Sequence, residues 1–128
     1  MNRIGSRSKI LITAFCFFAA LNLYGQNWEK TFGGIYTEEG YAVQQTNDSG
    51  FIAVGNTNSF GAGNSDIYLV KTNSLGDSMW TRTYGGVSAD KGFSVRQTYD
   101  GGYIIGGETN GSGSEDIQLI KTRSKSVV

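Results

Sequence analysis

One sequence motif is written twice along this chain, and that duplication constrains the fold more than any other feature. Setting residues 28–58 against residues 80–110, a shift of 52, pairs Trp28 with Trp80, Thr31 with Thr83, Gly40 with Gly92, Asp48 with Asp100, Gly55 with Gly107 and Asn58 with Asn110. After a two-residue contraction the match resumes at a shift of 50, pairing Asp66, Ile67, Leu69, Lys71 and Thr72 with Asp116, Ile117, Leu119, Lys121 and Thr122. The contraction falls in a stretch rich in Gly, Asn and Ser, where a surface loop tolerates a change of length.

Each unit divides into short β-rich runs separated by Gly, Asn, Asp and Ser clusters, and no long stretch follows the helical period. Four strands per unit are expected. In the first unit they are 40–46, 51–57, 66–72 and 79–84, and the turn Asn47-Asp48-Ser49-Gly50, like its copy around Asp100-Gly101-Gly102, carries the chemistry of a tight hairpin. The runs at 51–55 and 67–70 are apolar on both faces, as in a sheet covered on both sides. The run Trp28–Phe32 and its twin Trp80–Tyr84 alternate instead and read as more exposed strands. A period near 50 residues with several strands per repeat lies in the range of β-propeller blades.

The first 25 residues read as an address. Arg3, Arg7 and Lys9 precede an apolar run from Ile10 to Tyr24, followed by the small residue Gly25, the pattern of a secretory signal peptide cleaved before Gln26. The run is shorter than the roughly 20 residues that cross a bilayer, so no membrane span is expected after cleavage. Cys16 leaves with the leader, because Phe15 before it is too bulky for a lipoprotein cleavage site. The cleaved chain retains eight basic and eleven acidic residues, a net charge of −3. The expected destination is the periplasm, the cell surface or the medium.

Of the 128 residues none is His and one is Cys, which removes Ser-His and Cys-His dyads and the common zinc ligand sets. Eleven basic residues balance eleven acidic ones without a basic run, so no nucleic-acid partner is expected. Enzyme chemistry would rest on carboxylates such as Glu38 or Glu39 with Asp90, and Glu38 and Asp90 occupy equivalent repeat positions, which suits a scaffold better than an active site. The chain is read as a non-enzyme with no cofactor and no metal.

The motifs W-x-[KR]-T-[FY]-G-G, D-x-G-[FY]-I-x-x-G-x-T-N and D-I-x-L-[VI]-K-T occur at 28–34, 48–58 and 66–72, and again at 80–86, 100–110 and 116–122. In these the chain resembles a family of bacterial β-propeller repeats of secreted and cell-surface proteins. The resemblance implies a multi-bladed propeller within a larger exported protein, with no shared catalytic site. The expected organisation is a signal peptide at 1–25, an all-β partial propeller at 26–122 with two tandem four-stranded antiparallel blades, at about 28–79 and 80–122, and a divergent tail at 123–128. The second blade lacks its last strand, while the strand-like run at Trp28 precedes the first. Since two blades do not close a ring, further blades would come in trans from other copies, or from a missing C-terminal part, the reading favoured by the unrelated tail.

The function expected on this basis is an exported propeller module presenting loops for protein or glycan binding, as in adhesion; the alternative is a lectin-like oligomer assembled from two-blade chains. Trp28 and Trp80 are the aromatic platforms, Lys30 and Arg82 on the same strand faces are partners for an acidic ligand, and Asn58 and Asn110 supply loop amides. The fixed place of the Trp residues in the repeat fits packing better than ligand binding, stem packing with a solvated head group is the ordinary account of Lys30 and Arg82, and turn chemistry accounts for Asp48 and Asp100 without a metal. N-terminal sequencing of the secreted chain is expected to begin at Gln26; a secreted product retaining Cys16 would contradict the leader reading.

Overall fold

The structure, a computed structural model, describes residue 25 and residues 27–124. The expected signal peptide, Gly25 apart, and the last four residues of the tail lie outside the described residues.

Among the described residues, seven strands form two antiparallel sheets. The first holds β1 (Glu38–Gln45), β2 (Phe51–Thr57), β3 (Asp66–Thr72) and β4 (Ser78–Tyr84) in sequential order. The second holds β5 (Asp90–Gln97), β6 (Tyr103–Thr109) and β7 (Asp116–Lys121), also in order. Sequential antiparallel neighbours follow from short turns, whose chemistry is local. In the β1–β2 turn the Asp48 carboxylate accepts from the Gly50 amide at 3.0 Å and from the Thr46 hydroxyl, and in the β5–β6 turn Asp100 accepts from Gly102 at 3.1 Å and from Thr98. Both turns need one residue of positive φ: Gly101 takes it at 77°, whereas the first turn uses Ser49 at 67°.

The repeat extends to irregularities. The β1–β2 register slips between Gly40 and Ala42, and the β5–β6 register between Gly92 and Ser94. Opposite these bulges Gly55 and Gly107 allow the partner backbone to come close, since a Cβ on either would run into the carbonyl oxygen of Glu39 or Lys91.

The two sheets share one core. Ile52, Val54, Ile67 and Leu69 of the first sheet are buried against Val95, Tyr103 and Ile105 of the second, with Ala42, Trp80, Tyr84 and Ile120 at the margins. Polar ties align them: the Gly92 amide donates to the buried Asn56 side chain at 3.0 Å, the Gln97 amide to Gln44 at 2.7 Å, and the Asp90 amide to the Ser65 carbonyl at 2.8 Å.

This is not a propeller, and the expected fold class is corrected on that point. The molecule is an all-β pair of separate sheets, four strands and three, neither closed into a barrel nor curled. Each sheet of a propeller is covered on both faces; here the second sheet is covered chiefly on the face that meets its partner, and the far side of the first is covered only in part, Tyr68 and Val70 being buried there. On the far side of the first sheet Val43 is 68% exposed; on the far side of the second, Ile117 and Leu119 are 88% and 71% exposed. Four strands do form in the first unit, near the expected boundaries, but Trp28–Phe32 is not a strand. It has strand-forming residues but pairs with no strand among the described residues.

Leu69→Ala should cost about 2–5 kcal/mol, because the site is closed on all sides. Ser49→Gly should have the opposite sign, stabilising by up to about 1 kcal/mol through relief of the left-handed serine. Urea unfolding monitored by circular dichroism checks both; two shifts of the same sign would contradict this account.

Candidate functional site

Two sequence-predicted residues meet at a cleft where the sheets come together. Trp80 and Arg82 alternate with exposed residues on β4, so both point toward the second sheet. The Trp80 ring lies 5.9 Å from that of Tyr103, which is buried at the start of β6, and the Arg82 guanidinium carbon sits 5.2 Å above the Trp80 ring. Beside them is an open cleft of about 400 Å³, walled also by Asp48, Lys71 and Arg123.

The charge in this cleft is uneven. Lys71, only 4% exposed, donates to Asp48 at 2.9 Å and to the Thr72 carbonyl at 2.7 Å, so its ammonium is fully engaged. The Met79 sulfur lies over it at 3.8 Å. Arg82 has no ion-pair partner among the described residues, and Arg123 is exposed. Among the described residues three cations therefore line the cleft against one carboxylate, an electropositive balance. Hydrogen bonds from Thr46 and then Lys71 hold the Asp48 carboxyl down at about 2, while burial, followed by the Asp48 charge, pushes the Tyr103 phenol up.

The other four predicted residues lie elsewhere. Trp28 packs edge-on against Phe51 at 5.6 Å, and Lys30 pairs with Asp77 at 3.1 Å on the turn between β3 and β4. Asn58 and Asn110 stand at the opposite ends of β2 and β6 from the cleft, each holding its loop through a backbone amide, to Thr37 and Ala89, at 3.0 Å. The six do not form one site. Glu38 and Asp90 each receive an amide from a Gly-Gly turn, from Gly34 at 3.2 Å and Gly86 at 3.0 Å, and thus hold equivalent loops.

Sequence reasoning missed Lys71, Tyr103 and Arg123 as cleft residues. A signal for the first was present: Lys71 and Asp48 recur together as Lys121 and Asp100, and the second pair also meets, at 2.8 Å. A cation and an anion duplicated at fixed repeat positions are candidates for contact.

No protein-family model matches the chain, and no curated protein matches it. The resemblance to secreted repeat proteins therefore rests on its motifs alone.

The depressed Asp48 carboxyl makes a pH prediction. Its folded value lies below the ordinary 3.8, so the stability it contributes is present above about pH 4 and is lost as pH falls toward about 2. Asp48→Asn should lower the urea midpoint at pH 7, by leaving Lys71 buried without a counter-charge, and should flatten the stability profile between those pH values. An unchanged profile in the variant would show that the pair does not carry this dependence.

Proposed function

We propose that the chain is an exported binding protein whose cleft between the two sheets takes an organic anion, a carboxylate carried on a flat apolar body. The observation that carries this reading is Arg82, whose guanidinium carbon lies 5.2 Å over the Trp80 ring at the cleft with no carboxylate of its own among the described residues. A guanidinium placed over an aromatic ring keeps N–H donors for a carboxylate and loses less freedom on binding one than a free side chain would. Trp80 and Tyr103 offer the apolar surface beside it, and Lys71, already neutralised by Asp48, shapes the floor. Export is inferred from the basic and apolar pattern of residues 1–25. The earlier expectations of a propeller module with presented loops, and of a lectin-like assembly of blades, fall with the corrected architecture.

Phenylacetate and its amide, titrated into the full chain and followed by NMR, separate this reading from nonspecific apolar binding. The carboxylate should perturb the Trp80 and Tyr103 resonances, its affinity should fall with added salt, and Arg82→Gln should weaken it about tenfold. Equal binding of the amide, or no perturbation at the cleft, would overturn it.

A further inference from the structure

The two sheet faces turned away from the shared core are repeat copies of the two faces that pack together in it. On the far side of the second sheet stand Ile104, Ile117 and Leu119, the counterparts of the core residues Ile52, Ile67 and Leu69. On the far side of the first stand the exposed Val43, the half-buried Phe51 and the buried Val70, the counterparts of Val95, Tyr103 and Ile120 on the other half of the same core. A molecule that carries both halves of an interface it already forms internally has a surface complementary to its own copy, displaced along one direction.

The segment ahead of the first sheet sharpens this match. Trp28, Lys30 and Phe32 are the counterparts of Trp80, Arg82 and Tyr84 on β4. Trp28 already lies on Phe51, at 5.6 Å, as Trp80 lies on Tyr103, at 5.9 Å. The segment thus occupies, against the first sheet, the place that β4 occupies against the second, but without a β3-type strand beside it. At the other end, β7 pairs with β6 on one edge and with no strand on the other among the described residues. Its lysine records the difference: Lys71, with β4 paired alongside its strand, is 4% exposed, and Lys121, with the same Asp and carbonyl partners, is 44% exposed.

We propose that copies of this chain associate head to tail, with Trp28–Phe32 of one copy pairing antiparallel along the free edge of β7 in another. The β3–β4 register, Tyr68 opposite Thr83 and Lys71 opposite Trp80, transfers to Gln118 opposite Thr31 and Lys121 opposite Trp28. The backbone bonds supply a ladder to an open edge, and Ile117 and Leu119 are buried against the first sheet of the incoming copy. Neither partner needs to refold, because the incoming segment already lies on its own sheet. The contact is heterologous, so each added copy presents the same two surfaces again. It is independent of the proposed anion site.

Disulfide trapping in the full chain, in a Cys16→Ser background, tests the register. Mixed Thr31→Cys and Gln118→Cys chains should form a disulfide-linked heterodimer under mild oxidation, and Ser74→Cys in place of Gln118→Cys should not. Light scattering of the unsubstituted full chain should show masses that rise with concentration beyond the dimer. Leu119→Lys should return the mass to that of a monomer with an unchanged circular dichroism spectrum, since Leu119 is exposed in the single chain. A monomer at every concentration, a dimer that does not grow, or trapping at Ser74 equal to that at Gln118 would overturn the proposal, whether or not Leu119→Lys folds.

Discussion

Burial of Ile52, Val54, Ile67 and Leu69 against Val95, Tyr103 and Ile105 is the interaction on which the rest of the structure depends. The second sheet has no buried apolar face without the first, and a meander of three short strands with one face in water does not close a core. The contact also determines where everything else lies. It brings β5 alongside β1, β2 and β3, aligns Asn56 with the Gly92 amide, and sets Trp80 and Arg82 across from Tyr103, which opens the cleft. The candidate site is a consequence of sheet packing, with no part of it built on a long loop.

Because the two units share so much sequence, their differences act as an internal control on environment. Ile67 and Ile117 are the same residue at the same repeat position, one fully buried and the other almost fully exposed. Lys71 and Lys121 make the same bonds, to an aspartate and to the next carbonyl, beside a paired strand in one unit and at an open edge in the other. Local sequence therefore specifies the hairpins and the turn bonds in both units, while burial is decided by what lies alongside. The same reasoning assigns a cost to the solvated copy: its exposed apolar strand edge is a template for further pairing.

Much of the local structure was legible before the fold. Alternation and apolar runs located all four strands of the first unit, and the Asp-x-Gly-type turns placed the hairpins, because both depend on near neighbours in sequence. Trp28–Phe32 was misread for the same reason: its residues suit a strand, but a strand exists only with a partner, and no residue within the segment encodes one. Ring closure was not legible because it depends on how many sheets assemble and at what angle, neither of which a repeat period contains. At the site, Trp80 and Arg82 could be read as facing one way from their spacing on one strand. The contacts of Lys71 with Asp48, 23 residues apart, and of Trp80 with Tyr103 on the other sheet, required the registers of β2 with β3 and of the two sheets.

Native-state hydrogen exchange, read residue by residue in β2 and β6, tests most directly whether the shared core holds both units as one. The account predicts that the amides of Val54 and Ile105 open with the same free energy and the same denaturant dependence, in a single cooperative event. Protection of Val54 persisting under conditions where Ile105 exchanges freely would show that the first sheet stands alone, and would contradict the central place given to the packing between the sheets.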